Sequence, residues 1–66
     1  MGYRVKEERL KHLWTQEELA DKSGVSRVTI NAIETGKTEN VLVNTLRKIA
    51  DALGVSIEDL FISDDA

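Results

Sequence analysis

The stretch TQEELADKSGVSRVTINAIETG, residues 15–36, decides the fold that this sequence predicts. Thr15 is followed three residues later by Glu18, a capping-box pattern, so a helix is expected to begin there. Gly24 predicts its end, because glycine reaches the left-handed backbone conformation at little cost. Ser26 is a second N-cap candidate, and the glycine that closes the stretch marks the end of a second helix. Two short helices joined by a tight turn are therefore predicted.

The second of these helices, predicted over residues 26–35, has two different faces. Ile30 and Ile33 lie three residues apart and form an apolar face toward the first helix. The other face carries short polar side chains and one long cation, namely Ser26, Arg27, Thr29 and Asn31. That mixture suits the edge of a nucleic-acid groove, where hydrogen-bond donors and acceptors must be matched.

Three more helices are predicted around this pair. The first covers residues 3–13, with four residues near one face: Val5, Arg9, Leu10 and Leu13. The fourth covers residues 43–53, with apolar side chains at spacings of three and four: Val43, Leu46, Ile49, Ala50 and Leu53. Ser56 caps a last short helix, whose apolar residues are expected to complete the core: Ile57, Leu60 and Phe61. The predicted fold class is all-α, a compact five-helix bundle.

The pattern of the whole chain resembles the helix-turn-helix of the Cro/phage-repressor-type transcription regulators, the Xre family. The resemblance rests on the segments TQEELA (15–20), GVS (24–26), IN-x-IE-x-G (30–36) and IA-x-ALGV (49–55). It covers roughly residues 3–61, with the motif at 15–36, and leaves 62–66 as a short acidic tail that is expected to be disordered. It implies a lambda-repressor-like DNA-binding domain that regulates a promoter, most often as a repressor.

In this geometry the second motif helix lies in the major groove and the first crosses the DNA backbone. Arg27 is the leading candidate for base readout, because a guanidinium can bind guanine O6 and N7 together. Asn31 lies one turn further on and is expected to read a base edge or to hold a phosphate. The methyl group of Thr29 can meet a thymine methyl, and Val28 either does the same or turns inward.

Three residues are candidates for contacts with the DNA backbone. Gln16 can donate its amide to a phosphate, at a helix N-terminus whose dipole favours an anion, and the resemblance implies the same contact. Ser26 is divided between capping and a phosphate contact. By resemblance Lys37 is the best phosphate contact of the loop after the motif, against the alternative of an ordinary solvated lysine. Glu39 and Asn40 follow it where family members often carry basic residues, which weakens backbone contacts from this loop.

Arg9 interrupts the apolar stripe of the first helix and therefore requires a partner. In the family an arginine here pairs with a glutamate late in the recognition helix, and Glu34 stands at that place. The resemblance thus implies a structural ion pair, against the alternative of two unrelated surface charges. Trp14 is expected in the core or as a hydrophobic staple rather than stacked on a base. Leu13 stands where the family often has glycine.

Composition narrows the possible functions of this 66-residue chain. There is no cysteine and one histidine, so no metal site, cofactor or enzymatic activity is expected. The first ten residues lack the apolar run of a secretory signal, no membrane span is present and no small-molecule site is evident, so a cytoplasmic protein is predicted. The net charge is −3, but residues 1–48 carry +2 and residues 49–66 carry −5. A cationic reading end would thus dock on double-stranded DNA in one orientation.

A homodimer is expected, because one recognition helix covers too few base pairs for useful specificity. Two helices related by a two-fold axis would bind palindromic half-sites about 34 Å apart. Leu60, Phe61 and Ile62 are the predicted dimer interface, since three consecutive apolar residues cannot all face inward; the alternative is a chain end folded on its own core. Two other functions remain open: an antitoxin-type autorepressor, and a protein-interaction module that has lost DNA binding.

Overall fold

The computed structural model describes residues 3–38 and 41–61, which form four α-helices and one short 3₁₀ helix. The α-helices are α1 (Val5–Lys11), α2 (Gln16–Ser23), α3 (Arg27–Glu34) and α4 (Val43–Leu53), and the 3₁₀ helix covers Ile57–Leu60. The prediction of an all-α fold is confirmed, and α4 has the predicted bounds. The prediction of five α-helices is wrong, because the last element is a single 3₁₀ turn.

The 3₁₀ helix is short because the chain leaves it to pair with the start of the domain. The N–H and hydroxyl of Ser56 both donate to the carboxylate of Asp59, at 3.1 and 3.0 Å. Phe61 is then extended, and it forms an isolated antiparallel bridge with Tyr3. The two rings lie 5.6 Å apart between centroids. These contacts replace a further helical turn, since 3₁₀ segments rarely exceed four residues.

The first helix is shorter than predicted, and Leu13 explains where it ends. Leu13 has φ 59°, in the left-handed region that favours glycine. Its N–H donates to the Leu10 carbonyl at 3.0 Å, and the Trp14 N–H donates to the Arg9 carbonyl at 3.3 Å, the two bonds of a Schellman ending. Val5 and Arg9 are buried, but Leu13 is 89% exposed and Leu10 is 50% exposed. The core therefore covers only part of the face on which these four residues are predicted to lie.

The core lies between α2, α3 and α4, with α1 packed across α3 and α4 and the 3₁₀ helix against α4. The buried apolar side chains are Val5, Leu19, Val25, Ile30, Ile33, Leu46, Ile49, Ala50, Leu53 and Leu60. Every helix contributes to this set, so none of them has its apolar face unpartnered. The packing turns the opposite face of α3 outward.

Trp14 joins the turn between α1 and α2 to the core. It is half-buried and packs against the buried cluster, as predicted. The His12 ring stacks on it at 4.3 Å between centroids, and the Lys22 ammonium lies 5.0 Å from its ring centroid. His12 Nε2 also lies 2.9 Å from the carbonyl oxygen of Leu53 at the end of α4. His12 is otherwise exposed, and no local sequence signal indicates this contact across 41 residues.

Candidate nucleic-acid interface

Capping residues mark where α2 and α3 begin and where the turn between them lies. The Thr15 hydroxyl accepts from the Glu18 N–H at 3.1 Å, and the Glu18 carboxylate accepts from the Thr15 N–H at 2.9 Å, which confirms the capping box. Gly24 follows α2 in the left-handed conformation at φ 74°. Ser26 then caps α3, and its hydroxyl oxygen accepts from the Thr29 N–H at 3.2 Å. The predicted helix-turn-helix is present, with both helix starts as the caps indicate.

The outward face of α3 presents Arg27 and Val28 to solvent. Arg27 is exposed, and Val28 is 73% exposed, so the alternative in which Val28 turns inward is wrong. On the opposite face Ile30 and Ile33 are almost fully buried. A cation and a branched apolar side chain thus stand side by side on the surface that would enter a groove.

Ser26 and Thr29 form a local pair at the first turn of α3. Besides its capping bond, the Ser26 hydroxyl donates to Thr29 Oγ1 at 2.9 Å. Thr29 is half-buried. The structure therefore gives Ser26 its capping role, and Thr29 retains its own hydroxyl hydrogen for a further acceptor.

A buried ion pair clamps α3 to α1. Arg9 Nε donates to Glu34 Oε2 at 2.8 Å and Arg9 Nη2 donates to Glu34 Oε1 at 3.0 Å, a two-bonded arrangement. The two side chains are only 10% and 3% exposed. Arg9 Nη1 also donates to the carbonyl oxygen of Trp14 at 2.7 Å. Because both charges are desolvated, each depends on the other, and the end of α3 is held in one place.

Gln16, the first residue of α2, extends this clamp to the middle of α3. Its Nε2 donates to Glu34 Oε1 at 3.1 Å and to Asn31 Oδ1 at 3.2 Å. These acceptors account for both hydrogens of the amide, and a phosphate contact from this side chain would need one of them to be released. Sequence analysis names the four residues of this network as site residues, Arg9, Gln16, Asn31 and Glu34, but does not predict the contact between Gln16 and Asn31. Gln16 and Asn31 are 15 positions apart on two different helices, and no local sequence pattern joins them.

A shallow open cleft lies between the start of α2 and the start of α3. Its lining consists of Arg9, Thr15, Gln16, Glu17 and Arg27. The first N–H groups of a helix have no intrahelical acceptor, and the cationic Arg27 lines the same cleft as the start of α2, so the cleft suits an anion. The Glu17 carboxylate opposes this, and it limits how strongly the cleft attracts a phosphate.

Lys37 lies past the other end of α3. Gly36, at φ 76°, donates its N–H to the Ile33 carbonyl at 3.3 Å, and Lys37 donates its N–H to the Ala32 carbonyl at 2.9 Å. This Schellman ending fixes the main chain of Lys37 while its side chain stays exposed. Glu39 and Asn40, which the sequence places where basic residues would help, lie outside the described residues.

The three residues of the predicted dimer interface have different outcomes in the structure. Leu60 is fully buried in the core, so its side chain has no surface for a second subunit, and its inclusion in the interface was wrong. Phe61 is 47% exposed, while Ile62 and the rest of the predicted acidic tail lie outside the described residues. Leu42 and Val43 are 74% and 60% exposed at the start of α4. The helical spacing had placed Val43 in the core stripe, but the first residue of a helix has no preceding turn to cover it.

The fold and the α2–α3 geometry agree with the comparisons to known proteins. A family model described as helix-turn-helix matches residues 5–60. The chain belongs to the Xre/Cro-type helix-turn-helix family of DNA-binding transcription regulators. It is 51% identical over 65 residues to an uncharacterized HTH-type transcriptional regulator of Methanocaldococcus jannaschii, covering 98% of this chain and 97% of that protein. It is 49% identical over 65 residues to an uncharacterized HTH-type transcriptional regulator of Archaeoglobus fulgidus, covering 98% and 91%.

A third relative is less similar in sequence. A Neisseria meningitidis protein named as a hypothetical transcription factor is 34% identical over 62 residues, covering 94% of this chain and 58% of that protein. The match to the helix-turn-helix family covers most of the predicted 3–61 domain. All three relatives are named as transcriptional regulators or transcription factors.

The part of the chain that the structure describes offers neither a membrane span nor a metal site. None of its helices combines the length and the apolar character that a bilayer crossing requires. Within residues 3–38 and 41–61, no three His, Cys, Asp or Glu side chains are grouped so that they could hold a metal ion.

Proposed function

We propose that this helix-turn-helix protein binds double-stranded DNA in a sequence-specific manner, as a homodimer on a palindromic operator, and represses the promoter that it covers. The observation that carries the proposal is the state of α3. Its inner face is buried, its end is clamped to α1 by the Arg9–Glu34 ion pair, and its outer face exposes Arg27 and Val28. A rigid helix with a free outer face is what major-groove docking requires.

The proposed base contacts follow from the chemistry of that face. Arg27 has five donors and binds guanine O6 and N7, while the exposed Val28 packs on a thymine methyl. Thr29 and Asn31 complete the set from the same helix, with Asn31 one turn beyond Arg27. Each good contact of this kind contributes about 1–3 kcal/mol of discrimination against a wrong base.

The proposed backbone contacts lie at the two ends of the motif. At one end, a phosphate sits at the start of α2, where Gln16 offers its main-chain N–H while its side chain stays on Glu34 and Asn31, and near the capped start of α3 at Ser26, in the cleft that Arg27 lines. At the other end, Lys37 supplies its exposed ammonium. Because this set holds few cations and the cleft also contains Glu17, non-specific affinity is expected to be weak.

The proposed dimer places two copies of α3 in successive major grooves. Phe61 is the described member of the predicted interface that has free surface, and the exposed pair Leu42 and Val43 adds apolar area at the start of α4. A Phe61→Glu substitution is expected to shift the protein toward monomer in analytical ultracentrifugation while leaving the fold intact. A variant that dimerises like the parent would remove Phe61 from the interface.

A salt titration of DNA binding tests the proposal. The DNA upstream of the protein's own gene serves as target, and a shuffled duplex of the same length and composition as control. A specific regulator should prefer the target, and its log affinity should fall with log salt by about 0.9 for each phosphate neutralised. Lys37→Ala is expected to lower that slope by about one, with Lys48→Ala, an exposed lysine on α4, as the matched control.

The same titration distinguishes DNA-binding regulation from one alternative function. A protein-interaction module that has lost DNA binding would bind neither duplex, even at low salt. The net charge of −3 and the carboxylate in the cleft are the features that favour this alternative. Equal binding to both duplexes would contradict sequence-specific regulation and leave only electrostatic contact with the backbone.

A further inference from the structure

Three side-chain contacts in series join the buried Arg9 to Asn31 on the outward part of α3. Arg9 donates two hydrogen bonds to Glu34, Gln16 donates to Glu34, and Gln16 also donates to Asn31. Each contact crosses between helices, from α1 to α3, from α2 to α3, and from α2 to α3 again. The series is therefore part of the same packing that holds the motif together.

The chemistry of these groups fixes the orientation of both amides. A guanidinium is only a donor and an ionised carboxylate is only an acceptor, so Glu34 must face Gln16 with an oxygen. Gln16 must then turn its NH₂ group, not its oxygen, toward Glu34. The second hydrogen of that NH₂ group faces Asn31, so the Asn31 atom that meets it must be the carbonyl oxygen. Reversing either amide would place two acceptors or two donors against each other.

Asn31 consequently turns its own NH₂ group away from α2. Among the described residues, no buried side-chain nitrogen or oxygen lacks a hydrogen-bond partner. No acceptor within residues 3–38 and 41–61 is hydrogen-bonded to Asn31 Nδ2, so among these residues that group is left open to solvent. On the same face, Arg27 is also a pure donor, and Val28 offers only methyl groups.

We propose that Arg9, Glu34 and Gln16 are positioning residues that lock Asn31 with its donors toward the DNA, so that Asn31 selects a keto base. Guanine and thymine present an acceptor, O6 or O4, where adenine and cytosine present an amino donor. The usual asparagine–adenine pair needs the asparagine oxygen to accept from adenine N6, and here that oxygen lies against Gln16. The inference rests on the proposed DNA-binding function and adds the base class that one reading position prefers.

The first test measures base preference. Binding-site selection with the parent and with Asn31→Ala identifies the position that relaxes in the variant, and all four bases are then placed there. The parent should bind guanine or thymine about tenfold or more tighter than adenine or cytosine. In Gln16→Ala the lock is released, so the ratio should fall toward one, beyond any uniform loss of affinity. Asp21→Ala, an exposed residue of α2, is the matched control and should keep the parent ratio.

The second test uses the free protein and needs no DNA. The chain has one glutamine and three asparagines, so comparing the nitrogen–proton correlation spectra of the parent, Gln16→Ala and Asn31→Ala assigns the side-chain amides of Gln16 and Asn31. Its two hydrogens should exchange slowly with water, and those of Asn31 should exchange like an exposed amide. Fast exchange at Gln16 would overturn the lock.

The outcomes distinguish this inference from the proposed function. Specific binding with adenine or cytosine preferred at the Asn31 position, or an unchanged preference in Gln16→Ala, would overturn the lock and leave DNA binding standing. Absence of binding to any duplex would overturn the proposed function and, with it, base selection by Asn31.

Discussion

The two ends of this small domain are held together in different ways. At the end that carries the recognition helix, directional polar contacts join α1, α2 and α3 through Arg9, Glu34 and Gln16. At the end formed by α4 and the 3₁₀ helix, the contacts are dominated by burial, with Leu53 and Leu60 in the core. The first end specifies orientation as well as stability, because hydrogen bonds depend on angle and on donor or acceptor identity.

This difference teaches where substitutions should alter recognition and where they should only alter stability. Apolar packing tolerates exchange between side chains of similar volume. A network with every donor and acceptor matched does not tolerate the loss of one member, because the remaining groups are left buried and unpaired. The predictions below test that contrast, beginning with the largest effect.

Removal of the Glu34 carboxylate, which accepts from both Arg9 and Gln16, should disrupt the polar contacts that join α1, α2 and α3. Glu34→Ala leaves the buried Arg9 guanidinium without its partner, so the free energy of unfolding should fall by about 3–5 kcal/mol. This approaches the whole stability expected of so short a chain. Urea unfolding followed by the fluorescence of Trp14, the only tryptophan, measures the loss. The control is Lys11→Ala, which removes the exposed Lys11–Glu8 pair and should change stability by less than about 0.5 kcal/mol.

Similar losses in these two variants would contradict the claim that the Arg9–Glu34 pair is structurally different from a surface pair. The expected contrast rests on exposure. The Lys11 side chain is 70% exposed, whereas Arg9 and Glu34 are almost wholly covered.

Truncation of two neighbouring side chains should show how much each contributes to stability at the end formed by α4 and the 3₁₀ helix. Leu60→Ala removes a fully buried side chain and should lower the free energy of unfolding by about 2–5 kcal/mol. Phe61→Ala removes a half-exposed ring that packs on Tyr3 and should lower it by about 1 kcal/mol. Thermal unfolding at several protein concentrations measures both. The value for Phe61→Ala is that of the single subunit; in the proposed dimer this loss should be larger and should depend on protein concentration, and a loss that is the same at every concentration would remove the ring from the interface.

Loss of a helix cap should have an intermediate effect at the polar end. Thr15→Ala removes the hydroxyl that accepts from the Glu18 N–H, so stability should fall by about 1 kcal/mol. Amide hydrogen exchange should show the loosening first at the start of α2. Unchanged protection there would mean that packing against α3 and α4, rather than the cap, holds this turn.

The smallest predicted effect is a gain. Leu13 is held in the left-handed conformation and is 89% exposed, so Leu13→Gly removes backbone strain without removing packing. After the entropy of the added glycine is subtracted, the expected stabilisation is about 0.5–1 kcal/mol. The control is Leu10→Gly inside α1, which should destabilise by about 1 kcal/mol. A loss at Leu13 would show that its side chain has a partner outside the monomer.

Local signals predicted the parts of this fold that depend on a few neighbouring residues. The capping boxes, the left-handed glycines after α2 and α3, and the two-faced α3 all follow from such signals. Leu13 escaped prediction because a left-handed leucine carries no local signature. The end of the last helix depends on pairing between Phe61 and Tyr3, which is remote in sequence. The Gln16–Asn31 contact depends in the same way on how two helices cross.

The central claim, that the outer face of α3 reads bases, is tested most directly with Arg27→Ala. Its affinity is measured on the preferred operator and on a shuffled duplex, at one salt concentration. The variant should lose about 1–3 kcal/mol on the operator, relax the preference at one base pair, and lose much less on the shuffled duplex. An equal loss on both duplexes, with the base preference unchanged, would show that Arg27 contacts only phosphate and would contradict base readout by this helix.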